Sequence, residues 1–116
     1  MAYSEKLAAR VRAAFAPLPK VEEKKMFRGL TFMVDGKMCI SVGPGRIMCR
    51  IDPAIYDEAI SKKNVRPVIM GGKVYRGFVY VDEDSLNNQK EFDRWIALAL
   101  DFNKVAKPSK KSKKRT

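Results

Sequence analysis

Two glycine-bearing breaks within residues 26–51 commit this chain to a sheet-forming core. The segment MFRGLTFMVDGKMCISVGPGRIMCRI holds three short apolar runs, parted by Asp35-Gly36 and by Gly43-Pro44-Gly45. Asp-Gly between alternating apolar residues is the strongest short-range hairpin signal, because both turn residues must reach positive φ. The spacing predicts a three-stranded antiparallel meander. With a two-residue turn at Asp35-Gly36, Val34 pairs Lys37, Phe32 pairs Cys39 and Leu30 pairs Ser41. A three-residue loop at Gly43 to Gly45 then sets Ser41 against Ile47 and Cys39 against Cys49.

On that register one face carries Leu30, Phe32, Val34, Cys39, Ile47, Cys49 and Ile51. The other carries Thr31, Met33, Met38, Ile40, Val42 and Met48, together with Arg46 and Arg50. A meander with one wet face should alternate apolar with polar residues. This one does not, since its second face is still mostly apolar. A slip of one residue in the second loop would exchange the faces of the third strand. Both faces remain partly apolar under that slip.

Around the meander the expected order is α-β-β-β-β-α-β-β-α. Ser4 and Glu5 can cap a first helix in which Leu7, Val11, Ala14, Phe15 and Leu18 recur at helical spacing, and Pro17 and Pro19 end it. A strand is expected around Lys25-Met26-Phe27, with Gly29 permitting a bend before Leu30. Asp52-Pro53 starts the next helix as an N-cap acid followed by proline. Val68-Ile69-Met70, Gly71-Gly72 and Val74 to Val81 read as a second hairpin, Phe78 and Tyr80 facing one way, Val79 and Val81 the other. The last helix follows the cap-rich Asp82 to Ser85 and runs to Asn103, with Phe92, Trp95, Ile96, Ala99 and Phe102 as its core stripe. Leu98 and Leu100 broaden the stripe beyond one face. The fold class is α+β, an antiparallel sheet and helices in two layers.

A chain of 116 residues is one domain, with residues 1–103 folded and a basic tail at 104–116. Of the net charge of +11, Lys104, Lys107, Lys110, Lys111, Lys113, Lys114 and Arg115 supply seven, with no acid among them. A Lys/Ser/Pro segment of this kind buries no core and is expected to be disordered. It attracts polyanions through counterion release. No aromatic is interleaved with its lysines, so it offers bases nothing to stack on. No run approaches the length of a membrane span, and the first residues contain no continuous apolar stretch that would read as a secretory signal. Two cysteines without a disulfide framework fit a reducing cytoplasm, where Cys39 and Cys49 are expected to be reduced neighbours.

The chain carries few residues suited to catalysis or metal binding. The chain has no histidine, the commonest general base and metal ligand. Two cysteines do not fill a structural zinc site. The glycine pairs are turn-makers, and neither usual phosphate-loop spacing is present. Asp82, Glu83 and Asp84 precede a helix, where they favour its dipole. No Ser, Cys or Lys has a recognisable activating neighbour. An enzyme is the weaker class, and no catalytic residue, metal ligand or cofactor is assigned.

Val21-Glu22-Glu23-Lys24-Lys25-Met26-Phe27, then Gly29, then Phe32-Met33-Val34-Asp35-Gly36-Lys37-Met38, resembles the N-terminal domain of the TfoX/Sxy family of competence regulators. Arg66-Pro67 and Gly77-Phe78-Val79-Tyr80-Val81, followed by a Trp-containing helix, extend the resemblance to most of residues 3–103. Arg28 stands where the family pattern Met-Phe-Gly-Gly has its first glycine. The resemblance implies an α+β fold like that of secretion chaperones, dimeric, with no known cofactor or catalytic residue.

These readings predict a non-enzymatic regulatory or protein-interaction module in the cytoplasm. Its contact surface is expected at Met33, Met38, Ile40, Met48, Leu98 and Leu100, covered by a second copy or another protein. The alternative is a nucleic-acid-associated protein. Its polyanion contacts would be Arg28, Arg46, Arg50 and Arg76 on the domain, with Lys110, Lys111, Lys113, Lys114 and Arg115 in the tail. No membrane partner is expected.

Overall fold

Ser4 opens the first helix by accepting a hydrogen bond from the Leu7 amide at 3.2 Å, which satisfies one of the free donors of the first turn. The computed structural model describes residues 3–26 and 29–106. Helix α1 (Glu5–Phe15) is followed by strands β1 (Val21–Met26), β2 (Gly29–Val34), β3 (Lys37–Gly43) and β4 (Arg46–Arg50). Asp52 caps a 3-10 turn, Pro53–Ile55, that leads into α2 (Tyr56–Ile60). Strands β5 (Val65–Met70) and β6 (Lys73–Asp82), then helices α3 (Glu83–Leu86) and α4 (Gln89–Asn103), complete the domain. The six strands form one antiparallel sheet in the order β1-β2-β3-β4-β6-β5. The α+β class and the order of strands and principal helices are as expected.

All four helices bury their apolar residues in one cluster on one side of the sheet. Leu7, Val11 and Phe15 of α1, Tyr56 of α2, Leu86 of α3 and Trp95 of α4 meet Phe32, Ile40, Ile47 and Val79 there. The Phe15 and Phe32 rings pack edge-to-face, with centroids 5.8 Å apart. The opposite, helix-free face holds a smaller cluster of Met33, Met38, Met48 and Val68, against which Met26, Tyr75, Phe78 and Tyr80 pack.

The register differs from the expected one in two places. Val34 pairs Lys37 and Met33 pairs Met38, but Cys39 is then bulged out, so that Phe32 pairs Ile40 and Leu30 pairs Val42. At the second turn Gly43 pairs Arg46, leaving a two-residue loop of Pro44 and Gly45 rather than three residues. Pro followed by glycine at φ +72° is the composition of a type II turn. Together the two shifts set Ile40 against Cys49 and carry Ile40 and Val42 to the helix-covered core, where both are fully buried. Ile40 therefore does not share a face with the methionines. Thr31 and Ser41 are left opposite one another on the helix-free face, their hydroxyls hydrogen-bonded at 2.9 Å.

The C-terminal helix also begins later than expected. A break at Asn87-Asn88 separates α3 from α4, and the Asn88 side chain caps α4 by accepting from the Lys90 and Glu91 amides. At its far end the Asn103 amide is buried and donates to the Val34 carbonyl at 3.2 Å. Ala106 is buried as well. A truncation that spares the domain therefore cuts after Ala106. The tail lysines beyond it lie outside the described residues.

Candidate interaction surfaces

The two sheet edges are poor docking sites, each for its own reason. Glu22, Glu23, Lys24 and Lys25 stand exposed on β1, and charge of this kind discourages strand pairing. Arg12 of α1 grips Glu23 through two hydrogen bonds of 2.6 and 2.8 Å, which lower the pKa of that carboxyl. At the other edge, β5 carries Pro67, which lacks a donor for a further strand.

The helix-free face is neither bare nor apolar at its surface. Met33, Met38 and Met48 are only 8%, 7% and 4% exposed, so the chain's own side chains cover them. Above them Tyr75, Phe78 and Tyr80 are half-buried along β6. Cations lie over these rings: Arg46 sits 3.7 Å from the centroid of Tyr80, Arg50 5.9 Å from Phe78, and Lys73 5.7 Å from Tyr75. Arg50 also approaches Phe102 of α4 at 5.7 Å. Long cationic side chains over aromatic faces are stabilised by the ring quadrupole.

Exposed apolar surface is found elsewhere, at the tip of the β5–β6 hairpin. Ile69, Met70 and Val74 are 55%, 37% and 47% exposed there, around the turn residues Gly71 and Gly72. Both glycines have positive φ, +59° and +77°, which the tight reversal requires. Near the root of the hairpin β6 advances five residues while β5 advances two, so its last two pairs, Ile69–Val74 and Met70–Lys73, stand apart from the rest of the ladder. The sequence signal for this tip was its apolar flanks on both sides of Gly71-Gly72, with no helix nearby in sequence to cover them.

The residues expected to form one contact surface are thus divided. Met33, Met38 and Met48 share the helix-free face, Ile40 lies in the core, and Leu98 and Leu100 pack on the helical side. Leu98 helps line a groove of about 120 Å³ between α2 and α4, with Ile55, Glu58, Ala59, Lys62, Arg94 and Trp95. That is well below the ~300–1,000 Å³ of typical small-molecule sites. Among the basic residues, Arg46 and Arg50 come together. Arg76 turns away to pair with Asp57 at 3.1 Å and to cover Tyr56 at 4.7 Å. Arg28, Lys110, Lys111, Lys113, Lys114 and Arg115 lie outside the described residues.

The two cysteines are free and buried on the helical side. Burial pushes the Cys39 thiol up to about 12, against a smaller opposing pull from Arg50, and moves the Cys49 thiol up as well. A buried thiol of this kind is a small hydrophobe, not a nucleophile. Below the ordinary thiol value of about 8.5 both folded and unfolded chains keep these protons, and stability does not depend on them. Above it the unfolded chain releases protons that the folded one holds, so stability falls as pH rises. The expected slope is about 1.4 kcal/mol per pH unit for each thiol. Urea denaturation at pH values between 9 and 10 should show it, and a Cys39→Ala/Cys49→Ala variant should lose roughly 2.7 kcal/mol per unit of that slope. An unchanged slope would mean that the thiols ionise in place.

Among the described residues no group of three or more His, Cys, Asp or Glu side chains is placed to hold a metal ion. No helix of the described residues is long and apolar enough to cross a membrane. The acidic cluster at the start of α3 is engaged within the domain: Asp82 pairs with Arg66 at 3.1 Å, and Glu83 accepts from the Ser4 hydroxyl at 3.3 Å.

Residues 13–103 match the TfoX N-terminal domain, a span that runs from the last residues of α1 to the end of α4. The chain belongs to the TfoX N-terminal domain family. Neither a curated protein nor a solved structure matches it. The matched span includes Gly29 and both strands of the hairpin that bears the exposed tip.

Proposed function

We propose that this TfoX N-terminal domain is a non-enzymatic, competence-regulator-like module that works in the cytoplasm by protein contact, with a second copy of itself as first partner. A secretion-chaperone-like dimer is part of the same reading. The observation that carries it is the apolar tip of the β5–β6 hairpin, where Ile69, Met70 and Val74 meet solvent together. Both sheet edges are blunted and the methionine face is covered, and among the described residues this tip is where exposed large apolar side chains cluster, Val105 standing apart from it. A symmetric pair is the commonest way to cover such a patch.

Light scattering in the micromolar range tests it. The parent chain should be dimeric, and Ile69→Lys should be a folded monomer that melts where the parent does once diluted to its monomeric range, because the side chain is exposed at 55% and dissociation removes only the partner's share of the stability. Met38→Lys should instead unfold the domain, its side chain being buried within one copy. A strictly monomeric parent at every concentration would reject self-association. The interaction should weaken little with salt, since apolar contacts release few counterions.

A further inference from the structure

The helix-free face combines two features that seldom occur together on a surface meant only to be solvated. The first is charge. Strands β4, β5 and β6 bring Arg46, Arg50, Arg66 and Lys73 to this face against a single acid, Asp82, while Arg76 turns away to Asp57. Asp82 lies opposite Arg46 in the register, yet it gives its carboxylate to Arg66. Among the described residues, Arg46, Arg50 and Lys73 have no carboxylate within ion-pair distance. They rest on aromatic rings instead, Arg50 being shared between Phe78 and Phe102 of α4. Arg50 is in addition partly desolvated, and burial lowers its pKa, so a cation is held there at a cost that no carboxylate among the described residues offsets.

The second feature is the row of rings. Phe78 and Tyr80 are two residues apart on one strand and point to the same face, which places their Cα atoms about 6.6 Å apart. Tyr75 packs edge-on to Phe78, with centroids 6.4 Å apart. All three are half-buried over a floor of Met33, Met38, Met48 and Val68, so their positions are set by packing. A flat sheet face bearing spaced rings and guanidinium planes can stack unpaired bases, while the neighbouring cations meet the phosphates. A duplex hides its base faces and could use only the charges.

We propose that this face is a binding site for single-stranded nucleic acid, with Phe78 and the Arg46 guanidinium, itself seated on the Tyr80 ring, as stacking surfaces and Arg50 and Lys73 as phosphate contacts. This assignment does not rest on the hairpin tip, although Lys73 adjoins it opposite Met70. It also differs from tail-driven attraction, since a lysine tail lacks rings and cannot tell single strands from duplexes by stacking.

The test uses the full chain and a fluorescein-labelled oligouridine, with fluorescence anisotropy as readout. Phe78→Leu and Tyr80→Leu keep apolar cover over the methionines while removing the π-face. Each should weaken binding about tenfold, with the melting temperature retained. Tyr80→Phe should bind like the parent. Arg50→Gln should weaken binding and reduce the dependence of log affinity on log salt by about one contact. Unlabelled single-stranded DNA and RNA should both compete, and duplex DNA of equal length should compete much less. The proposal is overturned if the two leucine variants bind as tightly as the parent. It is equally overturned if duplex competes as well as single strands, which would assign the affinity to charge alone.

Discussion

Gly29→Ala should cost this domain at least about 3 kcal/mol, toward the upper end of what overpacking does in a protein interior. A Cβ built on Gly29 would stand 2.2 Å from the Val42 carbonyl oxygen and 3.0 Å from its carbon. Both atoms are backbone of β3, the strand that pairs with β2, so neither can step aside as a flexible side chain could. The strands would have to part just where Leu30 pairs Val42. Gly36→Ala is the control. It stands at φ +77° with nothing within 4 Å of the added carbon, so it should cost only the left-handed backbone penalty of about 1–2 kcal/mol. Urea denaturation with an unchanged m-value reads both. Equal losses at the two positions would show that close approach at Gly29 is not what the residue serves.

Trp95→Ala should be as damaging, by about 4 kcal/mol. Trp95 is the largest fully buried side chain, on the face of α4 that meets the sheet and α2. Removing its indole leaves a cavity that α4, held at Asn88 by its cap and at Asn103 by the bond to Val34, cannot close by sliding. Domains of this size have roughly 5–15 kcal/mol in total, so the variant should melt some 15 °C lower. Trp95→Phe should keep most of that stability. A fall of less than about 5 °C for the alanine variant would show that α4 contributes little to the core.

How much of this was legible in the chain depended on how local the signal was. Asp35-Gly36 and Gly71-Gly72 reverse the chain where expected, since positive φ is a property of those residues themselves. Asp52-Pro53 began a helical segment for the same kind of reason, the Asp52 side chain accepting from the Ala54 amide at 2.9 Å. Phe78 and Tyr80 faced away from Val79 and Val81, as strand alternation requires. The Pro44-Gly45 turn was misjudged by one residue, although proline then glycine is a sufficient cue for a two-residue type II reversal. The cap at Asn88 was hidden by an equally good cluster of capping residues a few positions earlier.

Local residue choice was enough for the Asp35-Gly36 and Gly71-Gly72 reversals, for the type and order of the principal elements, and for the family to which residues 13–103 belong. The bulge at Cys39, and with it the face on which Ile40 and Val42 lie, came from packing across the sheet. The physical reason is that strand parity has a period of two. One extra residue costs little locally, yet it exchanges every side chain beyond it, and the choice between the two registers is made by what can be buried across the sheet. Burial by distant strands likewise decided that three methionines are covered and that Ile69, Met70 and Val74 are not. The seating of Arg46 and Arg50 over Tyr80 and Phe78 joins residues some 30 positions apart, and it exists only because β4 lies beside β6.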